Sequence, residues 1–152
     1  MAKAPRHDPI LPERAPYLWT PLRFMLAGPV SLAILMLIAL QRAPMLATPY
    51  LHNPVTLAVT HLFTLGFGST VVVGALYQMV PVLLHSRLAS ERAADLHWLI
   101  HLSGTAMMIH GFLRFTPNWV IAGGSLVLAG ALLQAGNLIA TFRRAEKWNW
   151  HA

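Results

Sequence analysis

Residues 55–84 read VTLAVTHLFTLGFGSTVVVGALYQMVPVLL, a run of 30 residues without an Asp, Glu, Lys or Arg. An α-helix needs about 20 apolar residues to cross the hydrocarbon core of a bilayer, so this run predicts a transmembrane helix. Its one histidine, His61, has no charged neighbour in the sequence that could pair with it. An imidazole nitrogen placed in hydrocarbon costs several kcal/mol unless something binds it. His61 is therefore a candidate ligand.

The composition of the whole chain is that of a membrane protein. Of its 152 residues, 56% are hydrophobic and only 11% are charged, and the mean hydropathy is +0.55. A soluble domain of this length needs more polar surface than such a chain can supply. We predict an all-α integral membrane four-helix bundle with spans at about 21–41, 55–84, 96–113 and 119–142, an N-terminal tail at 1–20 and a C-terminal tail at 143–152.

The basic residues are distributed unequally between the two ends of the predicted spans. Nine of the eleven Lys and Arg residues fall on the side of the termini, and only Arg42 and Arg114 fall on the other. Because basic residues are enriched in cytoplasmic segments, both termini are predicted to be cytoplasmic, in a multi-pass protein of the bacterial inner (cytoplasmic) membrane. The net charge of +6 follows from the same rule and from contact with the lipid bilayer, so no nucleic-acid partner is expected.

Two kinds of side chain are missing from the predicted spans. The chain has no cysteine, which excludes disulfides, thiolate metal sites and thiol redox chemistry. All of its carboxylates lie outside the spans, so the membrane interior holds no acid that could carry protons for a coupled transporter. The five carboxylates are Asp8, Glu13, Glu91, Asp95 and Glu146.

Four histidines fall in two neighbouring predicted helices, at positions 61, 97, 101 and 110. If the second helix ends near Met79, His61 comes level with His110, and the two can face each other in the outer half of the membrane. A helix end at Leu84 would separate them by roughly 10 Å in depth. Two neutral imidazoles on opposite sides of an iron atom are what a six-coordinate haem requires, so His61 and His110 are the candidate pair.

The other two histidines leave alternatives open. His97 and His101 share one face of the third helix, and His110 points roughly the opposite way. His101 is the alternative axial ligand, or it faces another helix or another copy of the chain. Copper bound by this pair with Met107 and Met108 is a further alternative. Small residues in the fourth helix would allow a homo-oligomer to form through the third and fourth helices.

The second span carries a more specific pattern. Residues 61–67 (HLFTLGF) and 74–81 (GALYQMVP) resemble the tenth helix of subunit I of the haem-copper oxidases. In that family an H-x-H pair precedes Gly-Phe, and the second histidine ligates the low-spin haem. His61 occupies this second position, and Val59 occupies the first. The third and fourth spans are similar to the family's eleventh and last helices, so the resemblance covers about 90 residues.

The resemblance implies that the low-spin haem ligand is retained and that the oxygen-reducing site is lost. The chain lacks the family's three copper histidines, and its first span contains no histidine to complete the low-spin site. The missing axial ligand would then come from the third helix, a second copy or a partner subunit. Arg114 falls where the family keeps basic residues for the haem propionates, although an interfacial arginine of this kind also snorkels in many membrane proteins.

These observations predict a small b-type cytochrome that carries single electrons in or beside a respiratory chain. Haem b would lie near the outer face, with Gly66 and Gly68 leaving room beside the ring, and would exchange electrons with a periplasmic cytochrome or with quinol. Bis-histidine ligation leaves no open iron position, so a carrier or subunit is expected rather than a catalyst. The alternatives are a nonredox subunit or assembly factor of a haem-copper oxidase-like complex and a haem-based sensor of nitric oxide or carbon monoxide.

Overall fold

The computed structural model describes residues 17–47 and 53–149, and every regular element in these ranges is helical, as predicted. The predicted N-terminal tail as far as residue 16, residues 48–52 between the first two predicted spans and residues 150–152 lie outside the described residues. In chain order the elements are α1 (Trp19–Gln41), α2 (Ala43–Leu46), α3 (Pro54–His61), a π-helical segment (Leu62–Ser69), α4 (Thr70–Leu83), α5 (Glu91–Arg114) and α6 (Pro117–Asn149).

Three of the described helices are long and apolar enough to cross a membrane. They are α1, the continuous helix Pro54–Leu83 formed by α3, the π-helical segment and α4, and the part of α6 from Pro117 to Ala145. Helix α5 is 24 residues long but is not among them. Its first turns carry Glu91, Arg92 and Asp95, which make this end of the helix polar.

Prolines mark the ends of the second long helix. Pro54 is the first residue of α3, where its missing N–H costs no hydrogen bond, and the Asn53 side chain caps the helix by accepting from Val55 N at 2.9 Å. At the other end α4 continues through Pro81 to Leu83, and Leu84 N still donates to Val80 O at 3.1 Å. Pro81 therefore lies in the last turn and does not end the helix near Met79.

Helices α5 and α6 form a closely packed hairpin. Phe115 ends α5 in the left-handed conformation with φ 55°, and α6 begins two residues later. The backbones approach most closely at Gly104 and Gly123. A Cβ on Gly123 would lie 2.5 Å from the Gly104 carbonyl oxygen and 2.6 Å from Met108 N. Only glycine fits at this crossing.

The continuous helix Pro54–Leu83 packs against α1 along one part of its length and against α5 along another. Helix α1 lies against the π-helical segment and α4, and α3 lies against α5. Two apolar clusters fill the interior, one toward the α4–α5 connection and one toward the opposite end of the molecule. The first contains Phe24, Val73, Tyr77, Leu88 and Ala94, and the second contains Leu35, Ala58, Leu62 and Ile109.

The connection between α4 and α5 is held by side chains of α6. Asn137 accepts from Ser90 N at 2.9 Å and donates to Ser90 O at 2.8 Å, which satisfies both backbone groups of that residue. Thr141 accepts from Ala89 N at 2.9 Å, and Arg144 donates to Ala89 O at 2.8 Å. These contacts lie along the last turns of α6, which continues beyond the predicted span end at residue 142 to Asn149.

Candidate functional site

A π-helical segment directly follows His61 and determines where several polar groups point. In this segment the backbone hydrogen bonds run from residue i to i+5, so its carbonyl oxygens are displaced from their α-helical partners. The Leu65 carbonyl accepts from Thr70 Oγ1 at 2.9 Å and from His101 Nε2 at 3.1 Å. π-helical turns are rare and often occur at functional sites, so the residues that contact this segment are candidate site residues.

His61 ends α3 and is half-buried. Its Nδ1 lies 2.7 Å from the Leu57 carbonyl oxygen, which can only accept, so Nδ1 carries the proton. The other ring nitrogen, Nε2, then keeps its lone pair, and no described residue bonds to it. This tautomer, with Nδ1 fixed by a backbone carbonyl and Nε2 free, is the one in which histidine commonly binds a metal.

The ring of His61 packs against that of Phe112, with 4.8 Å between the ring centroids. Phe112 and His110 are two residues apart on α5, which is about 3 Å along the helix axis and about 200° around it. His61 therefore lies close to the depth of His110, even though α4 extends to Leu83. The face of α5 that meets His61 carries Phe112, and the structure does not bring the two histidine rings into contact.

His110 is exposed, and its ring lies 5.3 Å from that of Trp119. No described residue forms a hydrogen bond with either of its nitrogens. It lies at one end of a groove of about 680 Å³ between α1 and α5. An unbonded imidazole that faces the hydrocarbon of a bilayer is costly, so His110 remains the second histidine that an external group could stabilise.

His101 is 4% exposed and is bonded within the protein. Its Nε2 lies 3.1 Å from the Leu65 carbonyl oxygen, so Nε2 carries the proton, and Thr70 Oγ1 lies 3.3 Å from the same nitrogen. To bind haem iron through Nε2, His101 would have to give up both contacts. The hydrogen bond from His101 to the Leu65 carbonyl joins α5 to the π-helical segment.

His97 is more deeply buried still, at 1% exposure. Its Nδ1 is hydrogen-bonded to the hydroxyl of Tyr77 at 3.0 Å, and its ring packs against Phe24 with 5.2 Å between centroids. Gly130 of α6 leaves the space that the ring occupies, because a Cβ there would lie 3.0 Å from His97 Cδ2. His97 on α5 thus contacts α1, α4 and α6 in the interior.

Tyr77→Phe is expected to destabilise the protein by about 1–3 kcal/mol, because it leaves His97 Nδ1 buried without a partner while the ring packing is kept. The midpoint of thermal unfolding in detergent measures this effect. Tyr17→Phe is the matched control, since the same hydroxyl is removed from an exposed ring. Equal midpoints for the two variants would show that the buried hydrogen bond contributes nothing.

The remaining predicted site residues have other neighbours. Gly66 lies against α1, where a Cβ would come 2.9 Å from Ser31 Cβ. A Cβ on Gly68 would meet the Phe63 carbonyl oxygen at 3.5 Å and no other described atom outside its own helical turn within 4 Å. Arg114 is exposed in the last turn of α5. In α6, Gly123 and Gly130 pack against α5 of the same chain, whereas a Cβ on Gly136 would meet no described atom within 4 Å.

Sequence reasoning missed the contacts at the start of α1. Arg23 Nη2 pairs with Asp95 Oδ1 at 2.6 Å, and Thr20 Oγ1 donates to Glu91 Oε2 at 2.6 Å. An arginine one turn inside an apolar helix was the available signal, because such a residue needs a partner. The Tyr77–His97 hydrogen bond could not be found in this way, since it joins residues on two helices whose rotation the sequence leaves open.

Among the described residues, no three His, Cys, Asp or Glu side chains converge in a way that could hold a metal ion. A haem needs only one or two axial side chains, so a histidine with a free ring nitrogen can bind haem iron without such a cluster. Compared with protein-family models, with curated proteins and with solved structures, the chain matches none of them. Function is therefore inferred from the side chains themselves.

Proposed function

We propose that the protein is a b-type cytochrome of the bacterial inner membrane, in which His61 is an axial ligand of haem b. The observation that carries the proposal is the hydrogen bond from His61 Nδ1 to the Leu57 carbonyl, 2.7 Å long, which leaves Nε2 free. Bound haem would supply iron that exchanges one electron at a time. The chain's own contribution would be to fix the imidazole through the Leu57 carbonyl, with Nε2 left for the iron.

The bonding of the four histidines divides them into two groups that agree with this proposal. His97 and His101 are buried and bonded to other parts of the chain. His61 and His110 have free nitrogens and lie at nearly the same depth. His61 and His110 are therefore the proposed axial ligands, but a haem between them in one chain would require α5 to rotate by about half a turn, because Phe112 faces His61 and His110 lies about 200° around the helix from it. His101 is the alternative second ligand.

The proposal includes the course of the chain through the membrane. Helix α5 would cross as a fourth span beside α6, with its polar first turns at the cytoplasmic interface and both termini on the cytoplasmic side. His61 and His110 would then lie in the outer half of the bilayer. That position would allow electron exchange with a periplasmic cytochrome or with quinol.

The absorption spectrum of purified protein tests this function. Protein from haem-replete cells, purified in detergent, is expected to be red, with a Soret band that sharpens on reduction and resolved α and β bands. A pyridine haemochrome assay with protein quantitation gives the haem content per chain. A colourless preparation would contradict the proposal and favour a nonredox subunit or assembly factor of an oxidase-like complex.

Single substitutions of the two alternative ligands identify the second axial residue. His110→Ala is expected to convert the six-coordinate spectrum to a five-coordinate one, whereas His101→Ala is expected to lower stability by about 1–3 kcal/mol and leave the spectrum unchanged. The reduced spectrum with and without carbon monoxide makes the distinction, because only an open iron position binds the gas. The reverse pattern would assign the ligand to His101. Immediate carbon monoxide binding by the unmodified protein would indicate a gas sensor.

A further inference from the structure

The groove between α1 and α5 extends well beyond His110, the one proposed haem ligand that lines it. Its volume is about 680 Å³, and its walls extend from Trp19 to Ile34 on α1 and from Trp98 to Leu113 on α5. Each wall spans 15 residue steps, which is about 22 Å of helix. Apolar side chains line most of this length. A long apolar trough of this kind suits an extended hydrocarbon chain.

One end of the groove carries buried donors without acceptors. The Arg23 guanidinium pairs with Asp95 through Nη2 at 2.6 Å and lies over the Trp98 ring, 5.7 Å from its centroid. Arg23 Nε and Trp98 Nε1 are both buried, and neither has a hydrogen-bond partner among the described residues. Both residues line the groove. Buried donors are rarely left unpaired, and an acceptor from outside the chain could bond to these two N–H groups once the side chains turn toward the groove.

The depth of these donors is indicated by the residues around them. Tyr17 and Trp19, at the start of α1, are 68% and 54% exposed. Exposed tyrosine and tryptophan in membrane proteins lie at the level of the lipid headgroups. The polar first turns of α5, with Glu91 and Asp95, are at the same end of the molecule. The unpaired donors thus lie where the ester and phosphate oxygens of a bilayer are found.

We propose that this groove binds one phospholipid, whose phosphodiester accepts from Arg23 Nε and Trp98 Nε1 while one acyl chain lies along α1 and α5. A phosphodiester suits the site because an arginine, even when it is ion-paired, binds an oxyanion through its remaining N–H groups. A helix of a second copy would fill the trough but leave both donors unpaired, since the carbonyl groups of a helix are bonded internally.

Native mass spectrometry of the detergent-purified protein tests the headgroup contact. With phosphatidylglycerol as the probe, one lipid per chain is expected to bind tightly, and diacylglycerol with the same chains is expected to bind about tenfold more weakly or worse because it lacks the phosphate. Trp98→Phe is expected to weaken phosphatidylglycerol binding about fivefold. Trp119→Phe is the matched control, because Trp119 does not line the groove. Equal affinities for the two variants, or for the two lipids, would overturn the proposal.

A second substitution tests the chain-binding part while keeping both donors. Ala106 is an exposed residue that lines the groove, and Ala106→Trp is expected to fill it and to abolish tight lipid binding. Ala129→Trp places the same side chain on the exposed face of α6 and is expected to have no effect. Lipid retention by Ala106→Trp would overturn the proposal, and so would a delipidated dimer that this variant disrupts, which would assign the groove to a second copy. Neither measurement depends on haem.

Discussion

His61→Ala is expected to remove the haem absorbance of the purified protein while leaving its amount in the membrane unchanged. The imidazole supplies the free Nε2 lone pair, and alanine has no atom that can replace it. Insertion should be retained because residues 54–83 remain apolar. The haem content per chain, from the pyridine haemochrome assay, is expected to fall at least about tenfold, which would match the roughly 10–100-fold losses seen when groups supporting a metal site are removed.

Two comparisons separate ligation from a general loss of structure. His85→Asn removes an exposed histidine from the α4–α5 connection and keeps a residue type that tolerates the φ of 48° found there, so full haem content is expected. His61→Gly supplied with free imidazole is expected to regain part of the Soret absorbance, because the added ring can occupy the vacated space. Normal haem content in His61→Ala would show that His61 is not a haem ligand.

Gly123→Leu is expected to destabilise the α5–α6 hairpin by about 3 kcal/mol or more. A Cβ at this position would lie 2.5 Å from the Gly104 carbonyl oxygen and 2.6 Å from Met108 N, and both are backbone atoms that cannot rotate away. The two helices would have to separate, which loses the close packing that holds helices together in a membrane. The expected observation is a large drop in the detergent unfolding midpoint, with aggregation at temperatures the unmodified protein withstands.

Gly136→Leu is the matched control for this experiment. The substitution is the same and lies on the same helix, but a Cβ at Gly136 meets no described atom within 4 Å. Its stability should stay within about 0.5 kcal/mol of that of the unmodified protein, as for most changes on an open surface. If both leucine variants were equally unstable, the cause would be helix propensity or lipid contact, and the crossing of α5 and α6 would not be responsible.

Helix positions followed closely from the sequence because apolar length is a local property. The second predicted span, 55–84, corresponds to Pro54–Leu83 in the structure, and the first and fourth predicted spans lie within or close to the bounds of α1 and α6. The π-helical segment could not be foreseen, since the change from i+4 to i+5 bonding depends on neighbours such as His101. The sequence also did not indicate where α6 ends, because Asn137 and Thr141 bond to the α4–α5 connection, which is distant in the chain.

For the candidate site too, the sequence indicated which helices carry the histidines, whereas the structure was needed to show what each ring contacts. The sequence placed all four on two neighbouring helices, but its residue count made His61 level with His110 only for a helix that ends near Met79. The helix ends at Leu83, and it is the contact with Phe112 that shows the two histidines at similar depth. The sequence could not say which side chain of α5 would meet His61, since that depends on helix rotation and puts Phe112 there. Nor could it tell that His97 and His101 already have partners in Tyr77 and the Leu65 carbonyl.

Apolar length and the arrangement of charges by themselves determined that this chain is helical and suited to a membrane, because the free energy of transfer into hydrocarbon adds up residue by residue along a segment. Only the tertiary structure decided which polar groups are bonded internally and which are left without partners, among them Nε2 of His61 and the donors at Arg23 and Trp98. A hydrogen bond depends on distances of a few tenths of an ångström between helices, and such distances are set by packing.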